Sequence, residues 1–255
     1  MSRTSHIFRK KWGQNFLNDT NLLKRIVRTV DPQKDDSILE IGPGDGSLTE
    51  LIFSKVNQMA VVEIDPLLIK QLTIRSDLKG LNIIHGDILL QEIQDISINN
   101  PVRIIGNIPY NITSPIIFWL IEQLDFWDDA FIMMQKEVAE RLTAKIGTKQ
   151  YSRITVVVGV YLEMEFCFKI APEVFYPKPK VDSAIIRFTK KKSPVVSDGQ
   201  YVKFNKLVKA AFSKRRKMLR NSLNEFDIPI AIKEEIDFRR RPETLSVEEF
   251  AKLLV

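Results

Sequence analysis

The sequence predicts an α/β protein: a mostly parallel, doubly wound sheet of seven strands, followed by a small all-α C-terminal domain. Three observations carry this reading. Over the first 150 residues, short apolar runs alternate with segments whose apolar residues recur every three or four positions. A β-rich stretch follows, and beyond residue 192 the pattern turns helical and basic. Alternation of this kind places parallel strands in one sheet with helices on its faces. The expected boundaries are 1–192 for the sheet domain, opened by a basic segment 1–20, and 193–255 for the helical domain.

SILEIG (37–42), AVVEID (60–65), NIIHGD (82–87), VRIIGN (102–107) and AFIMMQ (130–135) are near-continuous apolar runs. Strands buried on both faces read this way. SLTELIFSKV (47–56) and PLLIKQLTIR (66–75) carry helical apolar spacing between them. ITVVVGVYLEMEFCFKI (154–170) reads as one long β-rich stretch and SAIIRF (183–188) as a further strand, together a final antiparallel pair. KKKSPVVSDGQ (190–200) reads as a linker. YVKFNKLVKAAFSKRRKMLRNSL (201–223) reads as an amphipathic helix. Phe204, Leu207, Val208, Ala211, Phe212 and Leu219 form its apolar face, with Lys206, Lys209, Arg216 and Arg220 opposite. Two short helices complete the chain, the second opened by Ser246 and Glu249 as a capping box.

The 255 residues are 44% hydrophobic and 27% charged, an ordinary globular composition. The longest apolar runs, such as IIFWLI (116–121), are too short to span a bilayer, so no membrane partner is expected. The N-terminal stretch is basic without the apolar core of a secretory signal. Cys167 is the only cysteine, which excludes an internal disulfide and a Cys-based metal cage; within FCF it suits a small buried hydrophobe. His6 and His85 form no cluster with Cys or acids, so no metal is expected. The setting is read as reducing and cytoplasmic, and the protein as a monomer.

Net charge is +6, and the excess is clustered. From Gly199 to Asn224 there is no Asp or Glu among eight cations. A second cluster holds Arg3, Arg9, Lys10 and Lys11, and a third runs from Lys178 through Lys192. Three such clusters suit phosphate neutralisation and a nucleic-acid partner.

Gly42, Gly44 and Gly46 follow the first strand directly, where a glycine turn lets backbone approach a ligand at the sheet's carboxyl edge. Ser47 stands where the dinucleotide fingerprint needs its third glycine, so the pattern is GxGxG. Glu63 ends the second strand, suited to ribose hydroxyls, and Asp87 the third, suited to an adenine amine. GxGxG with these acids resembles the S-adenosylmethionine site of class I methyltransferases, which have a Rossmann-like fold. The loop after the fourth strand, GNIPYN (106–111), faces the same crevice. An exocyclic purine amine is a poor nucleophile because its lone pair is delocalised. Two acceptors, the Asn107 side-chain oxygen and the Ile108 carbonyl, can hold its N–H groups and free that lone pair. Pro109 keeps Ile108 extended and so aims its carbonyl. Tyr110 offers a stacking face, worth about 1–3 kcal/mol per base.

GQNFLND (13–19), EIGPG (40–44), EID (63–65), GD (86–87), GNIPYN (106–111), FYPKPKVDS (175–183) and KRRKMLRNSL (214–223) occur in order. Together they resemble the ribosomal RNA adenine N6,N6-dimethyltransferases, nearly end to end. The resemblance implies that Asn15 and Leu17 border the methionine end of the cofactor, with Gly42, Gly44, Glu63, Asp87 and Asn107 binding the rest. It implies that Phe175 sandwiches the adenine against Tyr110. It further implies dimethylation of two adjacent adenosines in a hairpin loop near the 3′ end of small-subunit (16S) rRNA, on a precursor 30S particle. The large-subunit dimethylases of macrolide resistance and a non-catalytic RNA-binding assembly or transcription factor on the same fold stand as alternatives.

Overall fold

The computed structural model describes residues 15–254 except Asn18, Arg215 and the side chain of Asp198. The cluster at Arg3, Arg9, Lys10 and Lys11 lies outside the described residues, as does Arg215. In chain order the elements are β1 (Phe16–Leu17), α1 (Thr20–Val30), β2 (Ser37–Ile41), α2 (Ser47–Phe53), β3 (Gln58–Glu63), α3 (Pro66–Thr73) and β4 (Asn82–His85). There follow β5 (Val102–Asn107), α4 (Thr113–Glu122), β6 (Trp127–Gln135), α5 (Lys136–Leu142), α6 (Arg153–Val158), β7 (Leu162–Ile170), β8 (Phe175–Tyr176) and β9 (Ser183–Lys190). Helices α7 (Asp198–Ser213), α8 (Leu219–Ser222), α9 (Ile230–Glu235) and α10 (Val247–Lys252) end the chain. Two compact units divide it. One comprises the chain up to Lys136 with Phe166–Phe188; the other comprises Glu137–Glu165 and the chain from Thr189 onward.

The seven-stranded sheet runs β4-β3-β2-β5-β6-β9-β7, and the pairs β4–β3, β3–β2, β2–β5 and β5–β6 are parallel. All five residues of β2 are buried, as expected of a central strand covered on both faces. Its core gathers Ile26, Val27 and Val30 of α1, Ile38 of β2, Ile52 of α2, Val61 of β3 and Ile105 of β5. Helix α1 starts where Asp19 accepts the Leu22 N–H at 2.8 Å. It ends at Asp31, which adopts φ 49°. Cys167 is half-buried against this core rather than fully enclosed.

Three local readings change. ITVVV is not strand but α6, with only Leu162–Ile170 extended. Ser152 takes the N-cap position and its N–H donates to Thr155 Oγ1 at 3.0 Å, while Val156, Val157 and Val158 are fully buried. Tertiary burial of the valines overrides their β preference. The basic helix read as continuous from 201 to 223 ends at Ser213, and α8 is separate. KRRK (214–217) crowds like charges at the break, and the first N–H groups of α8 donate to the carbonyls of Arg240 (2.9 Å) and Phe238 (3.1 Å). The linker is also shorter and tethered: Lys191 and Val195 N–H donate to Tyr161 and Val160 carbonyls, and Val196 is buried. The capping box at Ser246 and Glu249 is present on α10.

Candidate active site

Connections wind outward from β2 through β3 to β4 on one side, and from β5 to β6 on the other. Ligands bind outside the carboxyl ends of strands at such a switch point. Pairing of Ile41 with Gly106 sets the two strand ends side by side. A Cβ on Gly42 would lie 3.9 Å from the Asn107 carbonyl oxygen. A cavity of about 260 Å³ opens there. Asn15, Leu17, Gly42, Gly44, Glu63, Asp87, Asn107, Ile108 and Pro109 line it, all named from sequence.

The glycine turn needs its glycines for two reasons. Gly42, Gly44 and Gly46 have φ of 66°, 61° and 79°, the left-handed region that side chains resist. A Cβ on Gly44 would also press the Phe16 ring at 3.1 Å. Glu63 braces this turn: Oε2 accepts the Gly44 N–H at 3.3 Å, and Oε1 accepts the Ile64 and Asp65 N–H groups, both at 2.9 Å. Burial raises its pKa, opposed by these three N–H donors. Asp87 lines the cavity while its Oδ1 accepts the Leu89 N–H at 3.0 Å, capping a short 3-10 turn.

Asn107 closes β5, and its Nδ2 donates to the Asn15 carbonyl at 2.9 Å. With the amide nitrogen so engaged, Oδ1 is the end of the side chain available as an acceptor. β1 pairs antiparallel with β8, Leu17 opposite Phe175 and Phe16 opposite Tyr176, which holds the Asn15–Leu17 backbone at the cavity. After Pro109 the chain makes a 3-10 turn, with the Ile112 N–H donating to the Pro109 carbonyl at 3.1 Å. Tyr110 does not line the cavity; its hydroxyl hydrogen-bonds Ser183 Oγ at 2.6 Å. Nor does Phe175, which is 4% exposed within the core cluster, whereas Tyr176 is 56% exposed.

Sequence patterns missed Glu40 and Asp45, which also line the cavity. Glu40 is buried on β2 and accepts from Thr49 Oγ1 at 2.6 Å. Burial is the main force pushing its pKa up to about 7, and the carboxylates of Asp45 and Glu63 add to it. The available signal was a lone acid inside the apolar run SILEIG. In the second unit Lys206 and Lys209 are exposed on α7, Arg216 in the following turn and Arg220 on α8. No group of His, Cys, Asp and Glu suited to a metal ion occurs among the described residues.

A turn of left-handed glycines at the cavity, beside acids at consecutive strand ends, fits a nucleoside cofactor. On this sheet they define a Rossmann-like, S-adenosylmethionine-dependent methyltransferase. The model of the ribosomal RNA adenine dimethylase family matches residues 5–254, and the chain belongs to that family. It is 39% identical to the ribosomal RNA small subunit methyltransferase A of Saccharophagus degradans, covering 97% of this chain and 94% of that protein. The Herminiimonas arsenicoxydans protein of the same name is 40% identical, with 97% and 98% covered. Among solved structures, a dimethyladenosine transferase from Plasmodium falciparum has a TM-score of 0.81 at 27% identity, covering 94% of this chain and 96% of that one. The 23S rRNA methyltransferase ErmE has a TM-score of 0.73 at 28% identity, with 94% and 98% covered.

Proposed function

We propose that this protein methylates N6 of two adjacent adenosines in a hairpin loop near the 3′ end of small-subunit rRNA, giving N6,N6-dimethyladenosines during ribosome assembly. Its partner is the precursor 30S particle, and it acts as a cytoplasmic monomer. No helix among the described residues is long and apolar enough to cross a membrane. The observation that carries the reading is Asn107 at the crevice, with Nδ2 committed to Asn15 and Oδ1 left to accept. Oδ1 and the Ile108 carbonyl accept the two N–H groups of an adenine amine and draw its nitrogen toward a tetrahedral, nucleophilic form. When bound, S-adenosylmethionine supplies an already activated sulfonium methyl, so the chain has no need of a strong base. What Asn107, Ile108 and Pro109 contribute is position and preorganised dipoles. Tyr110, held by Ser183, stacks on the adenine after it leaves its own stack. Phe175 is assigned to the other side of the base by the family resemblance; its backbone is fixed opposite Leu17, and its ring, buried in the core here, has to turn outward to reach the base. Glu63 and Asp87 take the ribose and the cofactor adenine, and Asn15 and Leu17 the methionine end.

The exposed cations Lys206, Lys209, Arg216 and Arg220 hold RNA phosphates. Relatives of 39–40% identity over nearly the whole chain carry the small-subunit name, which favours that RNA over large-subunit RNA. The test is transfer of labelled methyl from S-adenosylmethionine to undermethylated small subunits, large subunits and naked RNAs, with modified positions mapped by mass spectrometry. Label in two neighbouring adenosines of small-subunit RNA is expected. Label confined to large-subunit RNA would transfer the assignment to the resistance type, and no label on either RNA would defeat it.

A further inference from the structure

The crevice accounts for the glycines and the strand-end acids but not for Arg75, which follows α3 and is not among the residues lining the cavity. Its guanidinium spreads three ways. Nη1 donates to the Asp45 carbonyl at 2.8 Å. Nη2 donates to Glu50 Oε2 at 2.5 Å and also to Asp77 Oδ2, while Nε donates to Asp77 Oδ1 at 3.1 Å. Asp45 lies between the left-handed Gly44 and Gly46 and lines the cavity, and Glu50 sits on α2, the helix into which the turn feeds. One side chain thus ties the turn, its helix and the segment after α3 together.

The three arms differ in worth. Glu50 and Asp77 are half-exposed, and such ion pairs stabilise little by themselves. The arm to Asp45 is a charge-assisted hydrogen bond to the backbone of a turn built from the residues with most conformational freedom to lose. Gly46 is fitted to the same contact: a Cβ there would lie 3.0 Å from Arg75 Nη1 and 2.7 Å from Leu72 Cδ2. The missing side chain at 46 is what lets the guanidinium reach the turn.

We propose that Arg75 is a positioning residue for the cofactor. It holds the glycine turn in its ligand-ready shape through the Asp45 carbonyl, so that binding does not have to order the turn. This rests on the assignment of the crevice to S-adenosylmethionine. A turn that is competent only part of the time binds with its affinity reduced by that fraction. Carboxylate partners on both flanks keep the guanidinium in place whether or not ligand is present.

The test is calorimetric titration of S-adenosylmethionine into the full chain, as wild type, Arg75→Ala, Arg75→Lys and Asp77→Asn, alongside steady-state methyl transfer. Arg75→Ala should weaken cofactor binding roughly fivefold or more and raise the cofactor KM in step. The kcat at saturating cofactor and the KM for RNA should stay unchanged. Arg75→Lys keeps the charge beside Glu50 and Asp77 but loses the fork, and should fall between. Asp77→Asn spares the Asp45 bond and should have the smallest effect. Wild-type cofactor affinity in the Arg75 variants, with only a lower Tm, would overturn the proposal and leave Arg75 as a strut. Should Arg75→Ala fail to fold, Arg75→Lys decides on its own: unchanged affinity rejects the proposal, weakened affinity at native Tm supports it. The crevice assignment fails separately, if the wild type takes up no cofactor or if Gly44→Ala binds it normally.

Discussion

The two ends of the same central strands are built on opposite electrostatic plans. At the amino end of β5, Arg103 donates to Asp129 Oδ1 at 2.8 Å and Oδ2 at 3.1 Å, to Asp36 Oδ2 at 2.7 Å, and to the Val30 carbonyl at 2.7 Å. Arg187 adds a further bond to Asp129 Oδ2 at 3.0 Å. Each buried carboxylate there meets a cation, and the guanidinium's N–H groups are spent. At the carboxyl end, Glu40 and Glu63 are buried with other carboxylates as their charged neighbours, and both have raised pKa values. The amino end is closed and finished. At the carboxyl end the acids border an open cavity with their pKa values raised, the pattern expected of a functional site.

The largest effect should come from breaking the closed end. Arg103→Ala leaves Asp129, only 6% exposed at its side chain, without its main partner. Removing one member of a buried pair costs about 3–5 kcal/mol, and Arg187 still reaches Asp129, so stability read from the urea midpoint should drop by the lower end of that range while cofactor affinity in the folded protein holds. A midpoint within error of wild type would erase the contrast between the ends.

Asn107→Ala tests the open end. It should reduce kcat roughly 10²-fold or more, as loss of one preorganised polar contact does, with cofactor binding within a few-fold of wild type. Single-turnover methyl transfer measures this directly, and near-normal turnover would remove Asn107 from the chemistry.

Glu40→Gln sharpens the comparison through pH. Because the folded pKa of Glu40 is raised, the folded protein binds more protons than the unfolded chain between the ordinary carboxylate range and about 7. Stability from this residue is therefore full at low pH and is lost as pH rises to about 7. The unliganded variant should gain on the wild type by about 2 kcal/mol across that window, read from denaturation midpoints at pH 5 and pH 8. A constant difference would mean that Glu40 is ionised throughout. The smallest effect lies on the exposed cations of the second unit, whose charges await a partner at the surface. Reversing Arg216 and Arg220 to Glu should flatten the log–log salt dependence of RNA binding by about one to two. An unchanged slope would mean these side chains face away from RNA.

Much of the sheet was legible because parallel strands buried on both faces must be continuous apolar runs. VRIIGN matches β5 residue for residue, and SILEIG and SAIIRF mark β2 and β9. ITVVV misled because its β-branched residues suit a strand, and a cap at Ser152 with complete burial decided for helix. The break after Ser213 misled because amphipathic spacing continues through it, while the partners that start α8 lie at residues 238–240. At the site, the glycine turn, Glu63, Asp87 and Asn107 were readable from their places at strand ends.

By itself the sequence determined which residues could do chemistry: glycines where backbone must turn left-handed, acids and an amide where strands stop. Those are local properties of covalent chain and residue type. Only the tertiary structure decided how they are oriented and held. That the Asn107 amide nitrogen is taken by Asn15, that Glu63 braces the turn, and that Arg75 grips Asp45 depend on contacts between 19 and 92 residues apart. Such partners are chosen by packing of the whole unit, and no local pattern announces them.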